Sequence, residues 1–415
     1  MNTVMKLAAR NLLRYRRRTA LTSTLIVIGV VAVLTFIAVS GSFKNMMIGT
    51  ITDSMLGHVQ VHRRSYVASI DSLPLNLNMS PAMVKKVEEA LHAAPGVAAV
   101  SERVKFGAMF SNFAETTSIR VNGIDPAREA ATTPLLPARV RDVPHGAPIL
   151  ERGEILVPVL LARGMRVKAG DEVVLIATNK DGSVNGRTFK VRSELESVTG
   201  PGGRDGYIHI EDARELLRMT QPEVSELTIR LTNLDDVERA AERLAASLAA
   251  FTNKAGVPAL EVHSWQRLSP FANIAKMIDM LTVFIRAILV AIVLVSVMNV
   301  MVMAVYERIR EIGTLAAIGT RPTRILAMFV SEGLLLGTLG SAAGILLTLG
   351  VTAVINTAGL TFDFGQQQGI PLVAQLTVPT LATVGAMVVA IALLASLQPA
   401  WKASRMDPIT ALRHV

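Results

Sequence analysis

Four windows of the chain stay apolar for the roughly 20 residues that a helix needs to cross a hydrocarbon core. They lie at 19–41, 273–305, 325–355 and 378–398. Between 42 and 272 the hydrophobic positions are periodic instead. Gly57-His58-Val59-Gln60-Val61-His62 alternates like a strand, Pro81 opens a helical stretch to about Ala94, and Val97 to Phe106 reads as a strand after the Pro95-Gly96 stop. The order recurs at Leu227 to Leu231, Asp235 to Ala250 behind an Asn233 cap, and Ala259 to Ser264. These two strand-helix-strand units flank an insertion at about 147–219, where short strand candidates alternate with Gly-containing turns. The expected fold class is an α-helical membrane protein with four transmembrane helices plus a large mixed α/β extracytoplasmic domain containing a β-rich insertion.

Charge orients the spans. Lys6, Arg10, Arg14, Arg16, Arg17 and Arg18 precede the first, Arg308, Arg310, Arg321 and Arg324 separate the second from the third, and Lys402, Arg405 and Arg413 follow the fourth. The stretch 356–377 has no Lys or Arg. The excess of basic residues on one side predicts that 1–18, 306–324 and 399–415 are cytoplasmic, with 42–272 and the short loop 356–377 outside. The first apolar run exceeds a signal-peptide core, so we read it as a retained anchor. The chain is 51% apolar with mean hydropathy +0.43, and its charge of +9 is largely topological. The basic cluster at Arg14 to Arg18 abuts a span and has no interleaved aromatics, which favours membrane lipids over nucleic acid as its neighbours. There is no cysteine, so the external domain is held by an ordinary core, as in a bacterial multi-pass protein of the cytoplasmic (inner) membrane.

The charged island Tyr306-Glu307-Arg308-Ile309-Arg310-Glu311-Ile312-Gly313 cannot lie in hydrocarbon and reads as a short amphipathic helix between two spans. Glu307, Arg310, Glu311 and Thr314 share helical spacing. Ile312, Leu315, Ala316 and Ile318 give the helix an apolar face, and Gly313 and Gly319 permit close approach and a change of direction. No Gly-x-x-x-x-Gly-Lys-Ser/Thr loop occurs, so the chain holds no nucleotide in the usual way. Gly200 to Gly206 reads as a loop, His58 and His62 lack the partners of a metal site, and no acid-base constellation is recognisable. We expect no catalytic or metal-binding residue in this chain.

Gly333, Gly337, Gly340 and Gly344 are interlaced at four-residue spacing and predict close helix packing. Two apolar surfaces, Phe43, Met46, Met47 and Ile48 after the first span and Phe271, Ile274, Met277, Ile278 and Met280 at the start of the second, read either as packing or as a surface for a lipophilic substrate. Asp279 and Arg286 read either as outer-interface residues or as polar elements of a substrate path.

The segment Arg310-Glu311-Ile312-Gly313-Thr314-Leu315-Ala316-Ala317-Ile318-Gly319 with Arg324-Ile325-Leu326 and Glu332, and the closing Pro399-Ala400-Trp401 to Asp407-Pro408-Ile409-Thr410-Ala411-Leu412-Arg413, resemble the permeases of the MacB, FtsX and LolC/LolE superfamily of ABC transporters. Gly57 to His62 with Tyr66 is most similar to the lipoprotein-releasing branch. The resemblance implies that Glu307, Arg310, Glu311, Ile312, Gly313, Leu315, Ile318 and Gly319 form a coupling helix docked on a cytoplasmic ABC ATPase dimer, and that ATP and Mg are bound there. It also implies a second permease chain, identical or homologous, and either a periplasmic lipoprotein carrier or an adaptor. Extraction or export of a lipoprotein or other lipophilic substrate is the expected function. The alternatives are FtsX-like mechanical control of a cell-wall hydrolase and MacB-like efflux of peptides or antibiotics.

Overall fold

The computed structural model describes the chain from Asn2 to Arg413, apart from residues 93, 143–146, 197–203 and 365–366. Most of the Gly-rich run 200–206 thus lies outside the described residues. The chain divides into two compact units, one of residues 1–44, 276–361 and 371–415, the other of residues 45–275 and 362–370.

In chain order the elements are α1 (Asn2–Arg14), α2 (Arg16–Ile51), β1 (Val59–Arg63), α3 (Pro81–His92), β2 (Val97–Ser111), β3 (Thr116–Ile124), α4 (Pro126–Thr132), β4 (Glu154–Pro158), α5 (Val159–Met165), β5 (Glu172–Thr178), β6 (Val184–Leu195), β7 (Asp205–His209), α6 (Ile210–Leu216), β8 (Glu226–Leu231), α7 (Val237–Leu248), β9 (Leu260–Ser264), α8 (Trp265–Leu268), α9 (Phe271–Glu307), α10 (Ile309–Ala317), α11 (Pro322–Thr357), β10 (Thr361–Phe364), β11 (Gln367–Pro371), α12 (Val378–Ser404) and α13 (Pro408–Arg413).

Among the described residues four helices, α2, α9, α11 and α12, are long and apolar enough to cross a membrane. At 1.5 Å per residue the 36 to 37 residues of α2, α9 and α11 reach about 54 Å, well beyond the hydrocarbon thickness. Their shared core contains Ile26, Val30 and Leu34 of α2, Leu289 and Val293 of α9, Phe329 of α11 and Val388 of α12. The glycines of α11 set how closely these helices meet. A Cβ on Gly333 or Gly337 would stand 2.5 Å from Ser396 Cβ or 2.6 Å from Ala392 Cβ on α12, while one on Gly340 or Gly344 would meet Ile26 or Val30 of α2 at 2.8 and 2.7 Å. Two interfaces therefore share one stripe. Gly344→Val is expected to cost about 1–3 kcal/mol through overpacking, seen as a lower unfolding temperature in detergent. Gly350→Val, with nothing within 4 Å, is expected to leave it unchanged.

The other unit is built on a nine-stranded sheet ordered β3-β7-β4-β6-β5-β2-β8-β1-β9, with a further β3–β2 pairing that closes the first six strands on themselves. β2 joins its two halves. Residues 97–103 pair with β8, residues 103–111 with β3, and residues 108–111 with β5. One hydrophobic core lies where α3 and α7 cover β1 and β8, a second fills the closed half beneath α5 and α6, and a smaller third gathers Ile124, Leu136, Leu150 and Tyr207. The β-rich stretch 147–219 is thus not a sheet by itself, because β2 and β3 supply the strands that complete it. β10 and β11 form a separate two-stranded ribbon within 356–377.

Candidate functional site

At the charged end of the helical unit, α9 stops because Arg308 leaves the helical region (φ −115°, ψ 17°) and α10 starts immediately after it. Gly319, at φ +85°, makes the second corner in the left-handed region that glycine tolerates, and Pro322 opens α11. These corners fix which face of α10 points where. Ile309, Ile312 and Gly313 turn inward and are buried. Ile312 shares a core with Ala400 and Ala403 of α12, and α13 packs along α10. Asp407 shapes that last turn. Its carboxylate accepts from the Thr410 hydroxyl at 2.7 Å and from the Thr410 amide at 3.2 Å, which holds it below the usual carboxylate range. The two most specific sequence segments therefore meet in space.

The expected apolar face of this helix divides. Ile312 faces the bundle, Leu315 is half-buried, and Ile318 is 74% exposed. Glu307, Arg310, Glu311, Thr314 and Gly319 are exposed with it. Ile312 thus packs against α12 in this structure, and Gly313 is buried with it.

Beneath α10 lies a buried polar node that sequence spacing does not reveal. Arg308, 3% exposed, donates through Nη1 to Glu332 Oε1 at 2.8 Å, and Asn11 Nδ2 donates to the same oxygen at 2.7 Å. Arg308 Nε lies 3.5 Å from Glu311 Oε2, and Arg14 Nη1 lies 3.3 Å from Glu311 Oε1. The Arg308 guanidinium also sits 5.7 and 5.8 Å from the ring centroids of Tyr15 and Phe329. One arginine thus ties together α1, the break before α10, and α11. Its sequence signals are Arg308 in the charged island and Glu332 within an apolar run, with nothing in the spacing to pair them.

The residues read as two outer apolar surfaces separate. Met47 and Ile48 are buried in the core of the α/β unit, with Phe271 and Ile274 packed against it, and Met46 is half-buried. Sheet and helix packing claims this set. In the helical unit Phe43 is half-buried, Ile278 is buried, and Met277 and Met280 are 50% and 55% exposed. Asp279 pairs with Lys44 at 2.6 Å, while Arg286 Nε is buried without a hydrogen-bond partner among the described residues.

His58 and His62 serve the interior of the α/β unit. His58 Nδ1 accepts from the Leu231 amide at 3.1 Å. His62 stacks on Tyr66 and lies 3.4 Å from Glu226, which also takes Lys105 at 2.9 Å and Arg103 at 3.0 Å. Arg103 in turn holds Glu129, whose carboxylate accepts from Ser101 and Thr133. Burial raises the Glu226 pKa, but Lys105, His62 and Arg103 outweigh it and hold the carboxyl well below its ordinary range. Burial likewise pushes Tyr207 up to about 12.

Two family models match the chain: the MacB-like periplasmic core domain over residues 19–247 and the FtsX-like permease C-terminal domain over 283–408. The macrolide export ATP-binding/permease protein MacB of Syntrophobacter fumaroxidans is 34% identical over 149 residues, covering 34% of this chain and 18% of that protein. The lipoprotein-releasing system transmembrane protein LolC of Xylella fastidiosa is 25% identical over 287 residues, covering 64% of this chain and 66% of LolC. The periplasmic region of MacB from Actinobacillus actinomycetemcomitans aligns with 54% of this chain and 95% of its own, at 10% identity and a TM-score of 0.35. The chain spans less than a fifth of the MacB above and of the pyoverdine exporter PvdT of Pseudomonas savastanoi, at 18% and 16% of their lengths. With one model covering more than half of its residues and the other its C-terminal helices, the chain belongs to the MacB/FtsX/LolC superfamily of ABC transporter permeases.

Proposed function

We propose that this chain is the membrane subunit of a transport complex in the bacterial cytoplasmic membrane, driven by a separate ATPase dimer that binds ATP and Mg. The observation that carries the proposal is the geometry of α10. It is cornered at Arg308 and Gly319, backed by α12 and α13, and anchored by a buried ion pair, yet it and its flanking corners expose Glu307, Arg310, Glu311, Ile318 and Gly319, with Leu315 half-buried beside them. A helix so braced moves with the spans rather than flexing alone. Closure of the ATPase on this face tilts α9 and α11, and α2 and α9, each a continuous helix, carry the movement along the chain toward the α/β unit. A second permease chain completes the pair of docking helices.

Lipoprotein or another lipophilic molecule is the substrate class we favour. The extent of the likeness to LolC supports it, as do the exposed methionines Met277 and Met280 on α9. A periplasmic lipoprotein carrier would then receive the load. Export of a soluble drug or peptide through an adaptor has its own support in the identity to MacB, and FtsX-like mechanical signalling shares the same motor. Sidedness is tested by single cysteines in a chain that has none. Val184→Cys, exposed at the start of β6, is expected to react with impermeant maleimide in intact cells, and Thr320→Cys only after lysis. The reverse pattern excludes a cytoplasmic α10.

A further inference from the structure

We infer that α1 is a sensor for an anionic bilayer surface, and that Asn11 links its position to α10. Ala8 and Leu12 of α1 are buried where the helix packs along α11. The rest of its surface carries Lys6, Arg10 and Arg14, continued by Arg16 and Arg17 at the start of α2, all exposed. No Asp or Glu occurs before Asp53. Interspersed with these cations, Met5, Leu7 and Leu13 are 42%, 47% and 65% exposed. A basic face studded with apolar side chains beside a membrane span complements an acidic headgroup layer, the cations pairing with phosphate while the apolar tips enter the acyl boundary. Among the described residues, Arg14 alone of this set forms an ion pair with a carboxylate, at Glu311.

The link inward is specific. Asn11 stands on the protein-facing side of the same helix and shares Glu332 Oε1 with Arg308, the residue at which α10 begins. Arg14 reaches Glu311 of α10 directly. Rotation or lifting of α1 therefore alters the partners of both carboxylates that fix the base of α10. Lipid charge becomes an input to the helix that, resting on the functional reading above, docks the ATPase.

The test uses the full chain in nanodiscs. A fluorophore at Leu13→Cys is expected to be quenched more by doxyl-phosphatidylglycerol than by doxyl-phosphatidylcholine, and Lys6→Gln and Arg10→Gln are each expected to lower that preference about fivefold. Spin labels at Leu13→Cys and Ile318→Cys are expected to change separation when phosphatidylglycerol replaces phosphatidylcholine. With Asn11→Ala added, most of that change is lost, because the exposed Arg14–Glu311 pair contributes little by itself, while the lipid preference at Leu13 remains. Equal quenching by the two lipids, or protection of Leu13 only when a nucleotide-binding partner is added, overturns the lipid assignment. A distance change that largely survives Asn11→Ala overturns the link. Neither readout needs an ATPase, and an inverted chain is recognised separately from the Thr320→Cys labelling.

Discussion

Arg308→Ala is expected to uncouple the permease from the proposed ATPase partner while the four spans still insert. Removing the guanidinium leaves Glu332 buried with Asn11, a neutral donor, as its remaining side-chain partner among the described residues, and breaking one side of a buried pair costs about 3–5 kcal/mol. The cost falls at the corner that sets the angle of α10. Substrate-stimulated ATP hydrolysis should drop by an order of magnitude or more, since about 1.4 kcal/mol of lost coupling is tenfold. Arg308→Lys keeps the charge but not the planar fork that lies between Tyr15 and Phe329, so it should fall between. The double variant Arg308→Met with Glu332→Met separates stability from coupling: it should regain the unfolding temperature and remain uncoupled. Recovery of both by the double variant would reduce the pair to packing.

Arg103→Ala should have the largest effect on the α/β unit. Its guanidinium serves two fully buried carboxylates, Glu129 and Glu226, from the residue where β2 turns from pairing with β8 to pairing with β3. Losing it is expected to cost at least about 3–5 kcal/mol, a large part of a typical domain's 5–15 kcal/mol. Hydrogen exchange at β2 and β8 in the intact chain should accelerate accordingly. The pH dependence has a definite sign. Because the Glu226 pKa is depressed on folding, its stabilising contribution is present above the ordinary glutamate value of 4.5 and is lost as pH falls below it toward the folded value. The gap between native and Arg103→Ala proteins should therefore narrow on acidification below that value.

Much of the architecture was legible because it is written locally. Continuous apolar runs mark α2, α9, α11 and α12 without reference to anything else, and Pro81 and Asn233 sit at helix starts in the α/β unit. Pairing partners are not local. Nothing between Val97 and Ser111 announces that one strand serves β8 with one half and β3 with the other, so the β-rich insertion at 147–219 is legible in the sequence but the strands that close it are not. The ionic cluster was invisible for the same reason, as Arg103, Glu129 and Glu226 come from three separate elements. Four-residue glycine spacing announced close approach along α11, but not that Gly333 meets α12 while Gly344 meets α2. Met47 shows the limit of composition alone: an apolar residue after a span suits a substrate mouth or a core, and here Trp265 and Ala272 share its core.

The candidate coupling face shows the same limit at higher stakes. Helical spacing places Ile312 and Ile318 together as apolar positions, and only the packing of α12 and α13 distinguishes them. That distinction supplies the most direct test. A photocrosslinking amino acid at Ile318 is expected to capture the nucleotide-binding partner, with yield that changes on addition of ATP, whereas the same group at Ile312 should crosslink only within its own chain. Capture of the partner from Ile312, or none from Ile318 in a complex that still hydrolyses ATP, would contradict α10 as the docking element.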